Sequence, residues 1–245
     1  MGALDYICNS TFITMGYWKD KLPTWLFDFV ETKRKNWIGK PQLTYSGEAE
    51  DLIIEKFTKH IKNGCYVDVG CYHPKVGSNT FKLFKKGWSG INIDPNPETI
   101  RLFNQYRPND INLNIGISEV GSNLTYYEFK ESAVSTFSEE FYKMRLKQGA
   151  KFVGSKNIPT KTLAEVFDEQ LKGRDIDVLD IDTEGIDIQV LKSNNWEKYK
   201  PNVILVEDQD EDVENLENLE TYKFLKPLGY KLIAKTISTA IYTKY

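Results

Sequence analysis

Apolar residues along the chain fall in short runs set between polar, glycine-marked loops. Tyr66–Val69, Gly90–Ile93, the stretch from Ile111, Asp177–Asp182 and Val203–Glu207 are brief and rich in branched side chains, the pattern of strands buried on both faces. Segments with helical signals separate them. Ser46 precedes Glu48, Glu50 and Asp51, so it reads as a cap with acidic side chains in the first turn. Ala49, Leu52, Ile53, Lys56 and Phe57 then form a mainly apolar face. A helix from Asn79 offers Phe81, Leu83 and Phe84 for burial and stops at Gly87. Pro97–Tyr106 opens with a proline suited to a first turn. Helices are also expected from Pro159 to Phe167 and over Ile186–Leu191.

Strands alternating with helices predict an α/β fold with a mostly parallel sheet. Two last strands, from Gly229 and over Thr239–Tyr245, read as an antiparallel pair at one edge, which makes seven strands. Leu124–Phe129 reads as an extra strand. Residues 130–158 lack strong periodicity and carry Gly149 and Gly154, so they are expected to be a mobile insertion at the active-site edge, with a helix over Glu139–Lys147. Residues 1–40 are rich in aromatics and carry the basic run from Lys33 to Lys35. They read as an extension packed on the main domain, 41–245, or as a lid or partner contact.

Composition narrows this modestly. A length of 245 residues suits one domain with a small extension, and a net charge of −3 argues against a general nucleic-acid binder. Cys8, Cys65 and Cys71 have no ligand or disulfide spacing, so buried thiols are expected. An apolar run long enough to span a membrane is missing, and the N-terminus lacks a basic start followed by an apolar core. A cytoplasmic or similarly reducing setting is the expectation. Glu207–Glu220 carries eight acidic residues and reads as a charged loop entering a surface helix rather than a calcium loop.

The chemistry gathers around residues 64–95. A strand ends at Asp68 and Gly70, a loop passes through Tyr72, His73, Ser78, Asn79 and Thr80, and a second strand ends on Asp94 and Pro95. Two parallel strands joined by a crossover place both ends on one sheet edge, where open α/β sheets bind ligands. An acidic residue ending the second strand can accept both hydroxyls of a ribose. Neither Gly-x-Gly-x-x-Gly nor Gly-x-x-x-x-Gly-Lys-Ser/Thr is present, so a pyrophosphate is poorly supported and a dehydrogenase disfavoured. A cofactor with ribose and no phosphate fits better, and S-adenosyl-L-methionine has that form.

Asp68-Val-Gly, Asn92-Ile-Asp-Pro-Asn-Pro, Asn114-Ile-Gly-Ile-Ser and Leu179-Asp-Ile-Asp-Thr-Glu-Gly-Ile-Asp resemble the FkbM family of S-adenosylmethionine-dependent methyltransferases. The resemblance spans roughly Ser46 to Glu207. It implies the seven-stranded, Rossmann-like class I methyltransferase fold and methylation of hydroxyls on sugars, macrolides or other small metabolites. It also implies that Asp68 and Gly70 shape the methionine pocket, that Asp94 holds the ribose, and that Gly116, Ile117 and Ser118 flank the adenine. Ser135 and Thr136 then lie near cofactor or acceptor, and Tyr72 packs beside the cofactor or serves plain packing. Asp180 stands where the family often has Lys, Asp94 where it often has Glu, and the His73–Thr80 loop replaces a commoner Asn-x-Gly form.

Methyl transfer to a hydroxyl needs an in-line oxygen and a proton acceptor. His73 is one candidate base, or a structural hydrogen-bonding residue. Asp182 and Glu184 orient the acceptor, act as base, or cap the helix beyond Gly185. Glu207 helps hold the acceptor, or shares a divalent ion with Asp182, although the spacing fixes no recognised metal set and no resident metal is expected. His60 reads as a surface residue. The expected partner is a small-molecule or glycan acceptor, and a homo-oligomer is left open. The alternatives are an N-methyltransferase and a non-catalytic nucleoside-binding scaffold.

Overall fold

The computed structural model describes residues 42–208 and 214–244, with positions 23–26, 28, 29 and 32. The chain divides into two compact units, Met1–Leu43 and Thr44–Tyr245, and the second holds both sheets. The basic run Lys33–Lys35, Cys8 and the centre of the acidic stretch, 209–213, lie outside the described residues.

The elements of the second unit run in chain order as α1 Glu50–Thr58, β1 Cys65–Val69, α2 Phe81–Lys85, β2 Ser89–Ile93, α3 Pro97–Tyr106, β3 Ile111–Leu113, β4 Gly116–Ile117, β5 Asn123–Phe129, α4 Glu139–Lys147, β6 Phe152–Lys161, α5 Leu163–Gln170, β7 Val178–Ile181, α6 Asp187–Lys192, β8 Val203–Glu207, α7 Glu220–Leu225, β9 Lys231–Lys235 and β10 Thr239–Thr243. Seven strands form one sheet in the order β3-β2-β1-β7-β8-β10-β9. The first five are parallel, and β10 runs antiparallel to both β8 and β9. This is the seven-stranded α/β sheet with an antiparallel edge that the sequence predicts.

Every residue of β1, β7 and β10 is buried, so these strands need apolar side chains on both faces and show no alternation. One layer of core holds Val67, Val69, Ile91, Ile93, Leu179 and Ile181 with Leu163, Val166 and Phe167 of α5. The opposite layer holds Tyr66, Val178, Leu205 and Ile241 with Ile54, Leu83 and Trp88. Cys65 and Cys71 are free and buried, as expected.

Helix starts follow local chemistry. Asn96 caps α3 by accepting from the Glu98 amide at 3.0 Å, and Pro97 fills the first turn. The helix expected from Pro159 begins later, because Thr162 and Glu165 form a reciprocal capping box at α5 and Pro159–Lys161 stay in β6. α1 begins at Glu50 rather than at Ser46, whose hydroxyl still accepts from the Asp51 amide. Its buried face centres on Ile54, and Lys56 is exposed, a correction to the face drawn from the sequence. His60 is exposed.

The larger difference is a second sheet, β4-β6-β5. The helix over 139–147 forms where expected, but 152–158, expected to lack regular structure, is strand. β6 runs antiparallel to β5 from Asn123↔Pro159 to Phe129↔Phe152, then pairs in parallel with β4 at Thr160 and Lys161. Pro159 sits where the partner changes, the position at which a missing N–H does least harm.

Gly70 joins β1 to the loop beyond it with φ of +84°, and its amide bonds the Ile93 carbonyl at 2.9 Å. A Cβ there would lie 1.7 Å from the Asp182 carbonyl oxygen. The glycine is therefore required by the close approach of the chain leaving β7. Gly70→Ala should cost about 3 kcal/mol or more from the left-handed backbone and the overlap, read as a lower urea midpoint with an unchanged slope.

Candidate active site

The carboxyl ends of β1, β2, β7 and β8 lie side by side, and their outgoing turns carry most residues singled out from the sequence. Asp94 leaves β2. Its amide bonds the Leu113 carbonyl at 3.2 Å, and its Oδ1 accepts from the Asn96 amide at 2.7 Å. Burial pushes its carboxyl up to about 8, with the Asp68 charge adding to the rise and the Asn96 amide and Lys156 opposing it. Pro95 follows, half-buried.

Across from Asp94 stands the second sheet. Tyr126 of β5 is buried, and its phenol is pushed up by burial and then by Asp94, with Glu128 and Glu184 adding smaller effects. Its ring lies 4.9 Å from that of Phe137. The Phe137 ring in turn packs so closely on Gly116 that a Cβ there would meet it at 2.6 Å. Gly116 and Ile117 thus form a buried, flat edge beside the Asp94 turn. Ser118 is turned inward, its hydroxyl bonded to the Val120 carbonyl at 2.7 Å and to Thr160 at 2.6 Å.

At the ends of β7 and β8, Asp182, Glu184 and Glu207 converge. One carboxylate oxygen of each lies within 4.8 Å of the others. Such trios are common on proteins without an ion. Asp182 opens to solvent but is crowded by protein. Burial raises its carboxyl well above the usual range, and Glu207, Glu184, Asp187 and Asp180 raise it further. Burial and Glu207 push Glu184 up to about 8 against the pull of Arg145. Asp187 rises to about 7 through burial and Glu207, although it accepts from the Thr183 and Gly185 amides at 2.8 and 3.1 Å.

Glu184 has a left-handed φ of +55°. The segment before α4 and α4 itself hold it, through Thr136 Oγ1 donating to its carbonyl at 2.7 Å and Arg145 donating to its carboxylate at 3.2 Å. Backbone strain of this kind tends to sit at functional sites. Beside it opens a cleft of about 550 Å³ lined by Ser138, Glu140, Phe141, Lys143, Met144, Lys147 and Gly185.

The remaining predicted residues take other places. His73 Nδ1 accepts from the Lys75 and Val76 amides, each at 3.1 Å, so it caps its own loop; burial, Lys75 and Arg107 lower its pKa. This favours the structural reading of His73 over that of a base. Ser78 and Thr80 are buried on Arg107 rather than lining the crevice, and Thr80 donates to Asp68 at 2.6 Å. Asn79 donates to Asp180 at 3.2 Å. Tyr72 is exposed. Ser135 accepts from the Phe129 amide at 3.0 Å and so shapes the turn after β5.

The family model for the methyltransferase FkbM domain matches residues 68–232, more than half of the chain. The chain belongs to the FkbM methyltransferase family. No curated protein matches it. Among solved structures, a TehB-like SAM-dependent methyltransferase from Corynebacterium glutamicum matches with 12% identity and a TM-score of 0.42, over 91% of this chain and 100% of that one. The family match, and not that likeness, decides membership.

Within this FkbM protein, the residues that sequence reasoning missed are Tyr126, Lys156, Arg145, Asp187 and Arg107. Only Asp187 had a local signal, as an acidic residue opening a helix after Gly185. No helix among the described residues is long and apolar enough to cross a membrane.

Asp94, Glu184 and Asp187 hold protons more tightly in the folded chain than in the unfolded one, where carboxyls titrate near 4. What these groups contribute to stability is fully present below about pH 4 and is lost as pH rises through about 7 to 8. The melting temperature followed by circular dichroism should fall from about pH 5 to about pH 9, and Asp94→Asn should flatten that fall.

Proposed function

We propose that the chain transfers a methyl group from S-adenosyl-L-methionine to a hydroxyl of a small molecule, a sugar or glycan. One observation carries this reading: the Asp182, Glu184 and Glu207 carboxylates gather at the ends of β7 and β8, on the same sheet edge as the Asp94 turn that follows β2. A nucleoside-holding carboxylate and a cluster able to take a proton are thus neighbours.

The residues suit that donor. Asp94 keeps Oδ1 on the Asn96 amide and can accept ribose hydroxyls. Gly116 and Ile117, backed by Phe137, offer an apolar edge for an adenine. Asp68 and the loop after Gly70 lie at the amino-acid end. When bound, the donor supplies an activated methyl on a sulfonium with its own leaving group. The protein then has to aim an acceptor oxygen and take its proton.

A neutral amine acceptor would need little help with a proton, whereas a hydroxyl needs a base. A carboxyl raised toward neutrality matches that task better than an ordinary one. Glu184, raised by burial to about 8 and beside the α4 cleft, fits best, and Glu207, Arg145 and Asp187 set its charge environment. Sugar as the acceptor class follows the habit of the family, and Ser138, Glu140, Lys143 and Lys147 give the cleft polar groups able to bond a sugar's hydroxyls beside apolar Phe141 and Met144.

Calorimetric titration should show S-adenosylhomocysteine binding and no NAD binding. Asp94→Ala should weaken the former about tenfold or more, the loss expected for hydrogen bonds to a charged group. Binding of NAD alone would overturn the reading. With labelled methyl donor and a panel of nucleotide sugars and oligosaccharides, label should appear on a hydroxyl. Glu184→Gln should then cut kcat about a hundredfold or more at unchanged S-adenosylhomocysteine affinity; an unchanged kcat would remove Glu184 as base.

A further inference from the structure

Arg107 follows α3 and is completely buried. A guanidinium so placed normally faces a carboxylate directly. Arg107 donates to neutral oxygens instead. Nε and one terminal nitrogen both reach the Pro74 carbonyl, at 3.0 and 2.6 Å. That terminal nitrogen also reaches Ser78 Oγ at 2.9 Å, and the other reaches Thr80 Oγ1 at 2.9 Å. The Tyr66 hydroxyl and Asn92 Oδ1 lie at 3.5 Å. Phe103, Phe84 and Phe81 surround the group with ring centroids at 4.9, 5.4 and 5.5 Å.

The polarity of these bonds has a consequence. Arginine only donates, so Thr80 must accept from it, and the single Thr80 proton is left for another partner. That partner is Asp68 Oδ2, at 2.6 Å. The Tyr66 hydroxyl repeats the arrangement, donating to Asp110. The cation is thus balanced at one remove, through hydroxyls, by carboxylates on its two sides. In the same stroke Arg107 pins the loop between Cys71 and Thr80 at Pro74, Ser78 and Thr80. Both ends of that loop meet the ligand edge, one through Gly70 and the other through Asp68.

We propose that Arg107 is a positioning residue for the amino-acid end of the methyl donor: it fixes the loop after β1 and, through Thr80, holds Asp68 ready for a cationic ammonium. This rests on S-adenosylmethionine as donor. Electrostatics agrees, since burial raises the Asp68 carboxyl and Arg107 is the largest influence lowering it. Arg107 reaches β2 only weakly, at Asn92 Oδ1 and 3.5 Å, whereas Thr80 bonds Asp68 directly at 2.6 Å, so the larger effect is expected at the amino-acid end of the ligand.

The test compares two ligands by calorimetry on the intact chain. S-adenosylhomocysteine carries the amino-acid end; methylthioadenosine lacks it and keeps the nucleoside. Thr80→Val, nearly isosteric, and Arg107→Met should each weaken S-adenosylhomocysteine more than about tenfold and methylthioadenosine less than about twofold. Arg107→Lys should recover part of the loss, because it restores the charge without the fork. An equal loss for both ligands, or no loss for S-adenosylhomocysteine, overturns the proposal. If Arg107→Met does not fold, Thr80→Val decides; if neither folds, the pair serves the fold rather than the ligand and the proposal falls. Failure of the unaltered chain to bind S-adenosylhomocysteine would instead remove the donor assignment.

Discussion

Like charges crowd the carboxyl edge of the central sheet, and much of the surrounding structure answers to that crowding. Asp68 and Asp180 are register partners across β1 and β7, and both are buried. Asp94, Asp182, Glu184, Asp187 and Glu207 follow along the same edge. Carboxylates so close in a desolvated place cannot all be ionised cheaply. Burial and Asp68 raise the Asp180 carboxyl well above its usual range, which keeps one proton within the β1–β7 pair. The rest are met by donors: Thr80 on Asp68, Asn79 on Asp180, the Asn96 amide on Asp94, and the Thr183 and Gly185 amides on Asp187.

An edge built this way holds protons that an arriving cation would help it release, because a nearby positive charge favours the ionised carboxylate. A sulfonium beside an ammonium is a cation of that kind. The same crowding reaches side chains held in different ways. Asp94 and Asp187 accept from backbone amides and Glu184 from Arg145, yet burial raises all three, and Asp182, among further carboxylates, is raised as well.

The strands were legible because a parallel sheet covered on both faces demands uninterrupted apolar runs, and Val203–Glu207 is such a run. The place of Asp94 was legible because the short run Gly90–Ile93 marks the second strand and the turn follows it directly. β6 was not. Half of its ten residues are exposed, it contains Gly154 and Pro159, and it has no apolar alternation, since only Ile158 and Thr160 turn fully inward. Its existence depends on pairing with β5, which no local pattern states. Arg107 was hidden for a related reason. At a helix end before Pro108 an arginine reads as solvated surface, and only the folding of the Pro74–Thr80 loop over it makes it interior. His73 carried two readings, base or structural residue, and the turn closed by its Nδ1 is a contact that residue type and position alone did not reveal.

The pairing of β6 with two partners divides labour along a single strand. Its last residues join β4 beside Gly116 and Ile117, while its earlier ones pair with β5 in an outer hairpin. Lengthening, shortening or resurfacing the outer half leaves the inner half tied to Gly116 and Ile117. Sequence drift in the hairpin is thereby uncoupled from the short strand that Thr160 backs.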